Sequence, residues 1–283
     1  MSRYSELKTQ AEGKTKAKQG EARINPLFLL ICFAMIVGGG IGAAGLAPAP
    51  QLGADMCRTD QPLAASTVVL VDATDPFTEA QHRQATQDLK KIVEDVPRSG
   101  KLTLLFLQGD RAYDLQERVS QCNPMPSASN PVNILLHSVR RERAKWLATF
   151  GKEVEGAVDK LDEAPRGETS PIAEALQVLP LRTDFHGQVA NRRLILVSDL
   201  MQRSAGGSFY TLNSAGAAQA VLTAAGRPDL TGVRVDLMLL QRPEQTARQT
   251  AIAIPAWCGW LKARGASAVT VNGGACPAPR ETV

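Results

Sequence analysis

Asp72, Thr74 and Asp75 place two carboxylates and a hydroxyl within four residues, directly after the apolar run "TVVLV" at 67–71. Carboxylate and hydroxyl oxygens are hard ligands, which suit Mg²⁺, Ca²⁺ or Mn²⁺ with water completing the coordination. The same side chains also bond to backbone amides and so hold turns in place. The stretch therefore predicts either a divalent-cation site or a structural hydrogen-bond network.

Two further loops supply groups of the same kind. Asp199 follows a second apolar run at 194–198, and the loop "GETSP" at 167–171 precedes a predicted helix. In a doubly wound sheet, ligand groups gather beyond the carboxyl ends of the parallel strands. We therefore expect these loops to meet around one Mg²⁺ or another divalent cation. The groups available there are the carboxylates of Asp72, Asp75 and Asp199, the Thr74 hydroxyl and a hydroxyl from the loop 167–171.

The elements that must position these residues indicate an α/β fold. Apolar, β-branched runs typical of strands buried on both faces alternate with segments of helical spacing. Gly109 and Asp110 predict a hairpin turn into an amphipathic strand. The predicted fold class is a doubly wound, mostly parallel sheet with one antiparallel edge strand, preceded by one transmembrane helix. The predicted parallel strands are 67–72, 101–108, 192–200, 232–240 and 267–273.

The residues before this domain predict a membrane anchor. Residues 27–47 carry no charge, and 21 residues in a helix span about 30 Å, the thickness of a bilayer core. The first 23 residues hold six basic and three acidic side chains, so most of the net charge of +4 lies there. The remaining chain is close to neutral and gives little support for nucleic-acid binding. A cleaved signal peptide is the alternative, because "GLAPAP" resembles a cleavage region.

Basic leads stay in the cytoplasm, so we expect a single-pass protein of a bacterial inner membrane with a periplasmic C-terminal domain. Gly38 and Gly42 have the spacing of close helix packing, which predicts homo-oligomerisation or a partner helix, although Gly is common in membrane helices. The predicted organisation is a disordered cytoplasmic tail at 1–23, a transmembrane helix at 24–47, a linker at 48–63 and an exported domain at 64–283.

Four cysteines fall on the predicted exported side, where an oxidising compartment favours disulfides over zinc binding, and none has CxxC spacing. Their number permits three pairings. The predicted sheet favours Cys57 with Cys122, because the first strand starts, and the reversed third strand ends, opposite the acidic residues. Cys258 with Cys276 would then tie the last helix to the C-terminal tail.

The order of these motifs resembles the von Willebrand factor A-type domains and their metal-ion-dependent adhesion site. That family has D-x-[ST]-x-S after the first strand, a Thr before a helix and an Asp after the fourth strand. Asp72 and Thr74 match the first two positions, Ser170 in "TSPIAEAL" stands for the Thr, and Asp199 stands for the last Asp. The resemblance implies these four residues as metal ligands, with Asp75 and Thr169 as possible substitutes. Pro76 replaces the second Ser, so one direct ligand is missing. The resemblance implies a vWA-like fold with a degenerate metal site.

The chain shows few signs of an enzyme. None of its three histidines, His82, His137 and His186, is next to a candidate nucleophile, and a glycine-rich phosphate-binding motif is missing. We therefore expect a binding module rather than a catalyst. The resemblance implies protein partners, and in that family a partner carboxylate can complete the coordination of the metal.

The predicted partner-binding residues are Met201, Phe209 and Tyr210, because Met and aromatic side chains in loops near the acidic groups suit a protein interface. Burial in the core is the alternative for each, and it is the expected fate of Phe77. The predicted function is a membrane-anchored periplasmic interaction module that binds protein partners in the envelope. In one interpretation it depends on a divalent cation, and in the other the acidic residues form a structural hydrogen-bond network. The alternative is a structural subunit of an envelope-spanning assembly, in which the Gly-rich anchor is the working part.

Overall fold

The computed structural model describes residues 25–45, 51–123, 139–161 and 167–277. The chain divides into two compact units, Met1–Pro48 and Ala49–Val283. The first contains one helix, α1 (Pro26–Gly45), whose large apolar side chains between Leu27 and Val37 are exposed. In the part of the chain that the structure describes, no helix combines the length and the apolar character needed to cross a membrane.

The second unit is built on a seven-stranded sheet of order β3-β2-β1-β4-β7-β8-β9. Strands β1, β2, β4, β7 and β8 are parallel, and a short separate hairpin is formed by β5 and β6. The strands are β1 (Ala65–Asp72), β2 (Gly100–Leu107), β3 (Leu115–Cys122), β4 (Asn191–Ser198), β5 (Arg203–Ser204), β6 (Gly207–Ser208), β7 (Arg234–Leu239), β8 (Ala268–Val271) and β9 (Gly274–Ala275).

Helices cover both faces of this sheet. The first of them begins at a capping box, in which Thr78 and Gln81 bond to each other's backbone amides, and it ends before Pro97. The helices that the structure describes in this unit are α2 (Glu79–Asp95), α3 (Val139–Asp159), α4 (Ile172–Ala175), α5 (Ala215–Ala225), α6 (Thr246–Arg248) and α7 (Ile254–Ala263). Three 3₁₀ turns (Leu176–Leu181, Phe209–Thr211 and Pro243–Gln245) and a π-helical segment (Gln249–Ala253) complete them.

The central strand β1 is buried along its whole length. Val68 and Leu70 pack on the face covered by α4, α5 and α7, whereas Val69 and Val71 pack on the face covered by α2 and α3. Side chains alternate between the faces of a strand, so a strand covered on both sides must be apolar at nearly every position. The predicted α/β class with a mostly parallel sheet is therefore confirmed.

The predicted antiparallel edge strand is present, and the described sheet has a second one at its other edge, which was not predicted. β3 pairs with β2 as predicted, and β9 pairs antiparallel with β8 at the other edge. The additional strand follows a two-residue turn at Asn272 and Gly273, with φ of 48° and 78°. Asn-Gly is the preferred sequence for such a hairpin turn, since both central residues need a positive φ.

Residues at the start of the second unit form a compact turn where the sequence predicted a linker. Leu52 forms a β-bridge with Arg58, and the Lys101 ammonium donates to the Asp55 carboxylate at 3.0 Å. The Cys122 amide donates to the Asp55 carbonyl at 2.9 Å. The segment is thus attached to the amino end of β2 by hydrogen bonds and an ion pair.

Both predicted disulfides are present. Cys57 is bonded to Cys122 with a Cα–Cα distance of 4.8 Å, and Cys258 to Cys276 with one of 6.0 Å. Cys122 pairs in register with Lys101 at the amino end of β2, whereas Asp72 ends the neighbouring strand β1 at its carboxyl end. The first disulfide therefore lies opposite the acidic residues, as the sheet order predicted.

Removing the two disulfides should cost different amounts of stability. They close loops with sequence separations of 65 and 18 residues. The loop-entropy model gives about 4 kcal/mol for the longer loop and about 3 kcal/mol for the shorter one. We expect Cys57→Ala/Cys122→Ala to lower the free energy of unfolding more than Cys258→Ala/Cys276→Ala in denaturant titrations. The reverse order would contradict the loop-entropy explanation.

Candidate functional site

The buried carboxylate of Asp72 joins two loops and the end of a strand at the carboxyl end of the sheet. Its Oδ1 accepts from the Thr74 hydroxyl at 2.7 Å and from the Thr74 amide at 3.3 Å. Its Oδ2 accepts from the Ser170 hydroxyl at 2.8 Å and from the Ser198 hydroxyl at 2.9 Å. The loop after β1, the loop before α4 and the end of β4 are therefore held on one side chain.

Asp199 lies one residue beyond β4 and is almost fully buried. Its Oδ1 accepts from the Met201 amide at 2.9 Å, which closes a tight turn. Between them, Leu200 has a φ of 64°, a conformation that usually requires glycine. The Leu200 amide donates to the Ser198 hydroxyl, and its carbonyl accepts from the Trp257 indole at 2.9 Å. These bonds hold Leu200 in the conformation that glycine adopts more readily.

Arg242, three residues beyond β7, is the cation of this site. Its Nε donates to Asp199 Oδ2, and its Nη2 donates to Asp75 Oδ2 at 2.7 Å. The Arg242 amide donates to the Gln249 side chain at 3.1 Å. The same Gln249 amide group donates to the carbonyls of Asp199 and Leu240, at 3.0 Å each. One guanidinium thus bridges the loops after β1 and β4, and Gln249 fixes the backbone that carries it.

The electrostatics of the site follow from burial and from crowded carboxylates. Burial raises the pKa of the Asp72 carboxyl, and the hydrogen bonds from the surrounding hydroxyls oppose that rise. Burial and the neighbouring charge of Asp72 raise the pKa of Asp199 to about 6, against the influence of Arg242. Burial and the charge of Asp199 raise the pKa of Tyr210 to about 12. At neutral pH the Asp199–Arg242 contact is therefore an ion pair beside a neutral phenol.

The structure brings most of the predicted ligands together and redirects two of them. Thr74 and Ser170 both donate to Asp72, whereas the Thr169 hydroxyl donates to Asp110 at 2.8 Å, on another loop. Asp75 turns towards Arg242. Thr169 is therefore not a substitute ligand for the acidic pair, and Asp75 serves an ion pair.

Two of the three predicted partner-binding residues are buried. Phe209 has 0% and Met201 has 1% of its surface exposed, whereas Tyr210 has 36%. Both side chains pack into the core on the α5 and α7 face of the sheet, which was the alternative expectation, and Tyr210 is the one of the three that reaches the surface. Phe77 is partly buried against the opposite core, as expected.

The donors at this site do not fit a resident divalent cation. Both oxygens of Asp72 already accept from hydroxyls, and Asp199 Oδ2 accepts from the positively charged Arg242. Pro76 offers no side-chain oxygen where the resembling family has a Ser. Within the described ranges, no group of three or more His, Cys, Asp or Glu residues is arranged to hold a metal ion.

Sequence reasoning missed three residues of the site: Ser198, Arg242 and Gln249. The first two were accessible to the rule already used, because Ser198 ends β4 and Arg242 follows β7, the strand beside β4. The carboxyl ends of adjacent parallel strands meet at one edge, so a cation after β7 must lie near the acid after β4. Gln249 is far from the strand ends in sequence, and the pattern around it gives no signal.

No family model and no curated protein matches this chain. Solved structures show a similarity of fold. The conserved hypothetical protein BatB from Bacteroides thetaiotaomicron is 11% identical, with 75% of this chain and 91% of that one covered and a TM-score of 0.39. The ArnB paralog VWA2 from Sulfolobus acidocaldarius is 10% identical, with 75% and 42% covered and a TM-score of 0.41.

A third similar structure contains a metal. It is proximal thread matrix protein 1 from the mussel byssus, solved with zinc in its MIDAS motif, which is 12% identical, with 74% and 41% covered and a TM-score of 0.34. The sheet order and the motif positions described above resemble those of von Willebrand A-type domains.

The Asp72 carboxylate should be essential to stability. Asp72→Ala leaves the hydroxyls of Thr74, Ser170 and Ser198 without their acceptor in a buried place, and we expect a loss of about 2–4 kcal/mol in the free energy of unfolding. Asp75→Ala is the matched control, since its half-exposed ion pair contributes at most about 1 kcal/mol. Denaturant titration of both variants measures the difference, and equal losses would contradict this account of Asp72.

Proposed function

We propose that this chain is a membrane-anchored protein-interaction module whose docking surface lies at the carboxyl end of the sheet. The observation that carries the proposal is a half-exposed rim over a buried, hydrogen-bonded base. Tyr210 and the side chains of Asp75 and Arg242 are 36%, 46% and 23% exposed. Beneath them, Asp72 and Asp199 are buried and engaged by hydroxyls, amides and a guanidinium.

Such a surface suits protein recognition. Tyr and Arg are the side chains most enriched at the energetic centres of interfaces, because they combine apolar area with hydrogen-bonding groups. A base whose polar groups are already paired keeps the rim in place before a partner arrives, which lowers the entropic cost of binding. The proposal rests on these features and on the resemblance to interaction domains.

A non-catalytic role is part of the proposal. The Ser198 hydroxyl, at the end of β4, donates to Asp72 rather than to a histidine. His82 donates to the Val158 carbonyl, and His186 Nδ1 accepts from the Gln188 amide. Neither histidine is bonded to a hydroxyl that it would have to activate as a general base.

The placement in the cell is proposed from the sequence and the disulfides. The uncharged run at 27–47 supports a single-pass anchor, although no helix in the described ranges meets the length and hydropathy needed for a span, and the basic lead supports a cytoplasmic N-terminus. Two disulfides suit an oxidising compartment such as the periplasm. We accordingly propose protein partners in the bacterial envelope and no nucleic-acid partner.

The predicted dependence on Mg²⁺ or another divalent cation is the weaker part of the proposal. A cation bound by Asp72, Thr74, Ser170 and Asp199 would have to displace Arg242. The guanidinium is bonded to Asp199, and two positive charges on the same carboxylate repel each other. We therefore propose a surface that functions without a resident metal. The alternative role, a structural subunit whose Gly38–Gly42 helix face is the working part, would be favoured if an unrelated membrane helix could not replace residues 24–47.

A photo-crosslinking side chain should locate the docking surface. Placed at Tyr210 in the full chain in its native membrane, it should give an adduct with an envelope protein, because this position lies at the exposed rim. Placed at Asn191, which is exposed at the amino end of β4, it should not give that adduct. Mass spectrometry identifies the adducts. The same adduct from both positions, or none from Tyr210, would contradict the proposed surface.

Reporter fusions should establish the topology. A reporter that works only after export, fused after Val283, should be active, because the basic lead retains the N-terminus in the cytoplasm. A reporter that works only in the cytoplasm, fused at the same place, serves as the control and should be inactive. The opposite pattern would reject both the anchor orientation and the periplasmic location.

A further inference from the structure

We propose that Arg242 is a built-in cation that takes the place of the metal ion at this site. The wild-type surface is then held together without metal, and it becomes metal-responsive only when the guanidinium is removed. Arg242 has this role whichever protein binds at the surface.

The contacts of Arg242 perform the connecting role that a metal ion would have. Its Nε donates to Asp199, after β4, and its Nη2 donates to Asp75, after β1, at 2.7 Å. A divalent cation at the positions of the resembling motif would likewise draw the loops after β1 and β4 together. One planar, permanently charged group with donors on several edges can bind two separate carboxylates, which an ammonium group does less well.

The position of Arg242 is prepared by buried contacts. Its backbone amide donates to Gln249, and Gln249 donates in turn to the carbonyls of Asp199 and Leu240. Gln249 is 1% exposed and begins the π-helical segment Gln249–Ala253. Segments of this kind re-aim side chains within a helical run and often occur at functional sites. The guanidinium is therefore directed to the acidic residues by the fold, unlike a mobile surface ion pair.

Charge explains why the cation is needed. Asp72 and Asp199 are 7% and 4% exposed, and Asp75 lies beside them on the first loop. Buried carboxylates close to each other destabilise the folded state unless a positive charge or protons compensate them. In a metal site that compensation comes from the ion. Here Arg242 supplies the compensating charge. The absence of an oxygen ligand at Pro76 is consistent with that replacement.

Thermal unfolding of the full chain, with a chelator or with millimolar MnCl₂, tests the inference. The wild type should melt at the same temperature in both conditions. Arg242→Gln should melt roughly 5–10 °C lower in chelator, because it leaves Asp199 buried without its cation. Millimolar Mn²⁺ should then raise its melting temperature by a few degrees through binding to the folded state.

Arg203→Gln is the matched control, because Arg203 is exposed at the same end of the sheet and joins Ser170 through backbone bonds that the substitution leaves intact. It should behave as the wild type does. In the double variant Arg242→Gln/Asp199→Asn, the response to Mn²⁺ should be lost, which would assign the ion to the place of the guanidinium.

Three results would overturn the inference. One is a wild-type melting temperature that rises with Mn²⁺ as much as that of Arg242→Gln. Another is an Arg242→Gln protein that is no less stable than Arg203→Gln. The third is an Arg242→Gln protein that is destabilised but indifferent to Mn²⁺, since Arg242 would then be an ordinary ion pair. Should Arg242→Gln fail to fold, Arg242→Lys replaces it. This variant should melt below Arg203→Gln in chelator, and Mn²⁺ should raise its melting temperature but leave that of Arg203→Gln unchanged.

Discussion

The carboxylate of Asp72, buried at the end of the central strand, constrains the whole carboxyl end of the sheet. A buried carboxylate is tolerated only with hydrogen-bond donors around it, and the residues of β1 that precede Asp72, at 68–71, are all apolar. The donors come from Thr74, Ser170 and Ser198, which belong to three separate segments. Each of those segments must approach the same point, so the loop positions are determined by the need to satisfy one side chain.

The second constraint is charge. Once Asp72 and Asp199 share this buried region, their mutual repulsion has to be compensated, and Arg242 from the neighbouring strand end is in place to do so. The backbone at Leu200 is strained by this arrangement. Leu200 adopts a positive φ between Asp199 and the amide of Met201, at a position where glycine would be unstrained. Its fully buried side chain and the hydrogen bond from Trp257 retain that conformation.

The fold could be predicted from the sequence wherever local patterns and tertiary packing demand the same thing. The run at 67–71 is apolar because β1 is covered on both faces, and the capping box at Thr78 and Gln81 marks the start of α2. The disulfide between Cys57 and Cys122 followed from strand order alone. The short strand β9 was not predicted because two residues carry no periodicity, although the Asn-Gly turn before it was a usable signal.

The site was harder to predict because side-chain direction is set by tertiary contacts. Adjacent hydroxyls in "ETSP" cannot be told apart by type, yet Ser170 turns to Asp72 and Thr169 turns to Asp110. Phe209 and Tyr210 are likewise neighbours, and only the second is exposed. Arg242 stands in a polar stretch of the sequence, and the order of β4 and β7 in the sheet is what gives it a partner.

An internal cation also changes what the surface can recognise. A bound metal with an open coordination position attracts a carboxylate from a partner, because that oxygen completes the ion's ligand set. The guanidinium of Arg242 is already shared between Asp199 and Asp75. A partner carboxylate would therefore find no open coordination position. If the proposed docking surface contains this internal cation, recognition depends on the shape and the hydrogen-bonding groups of the rim around Tyr210 and does not require metal ions.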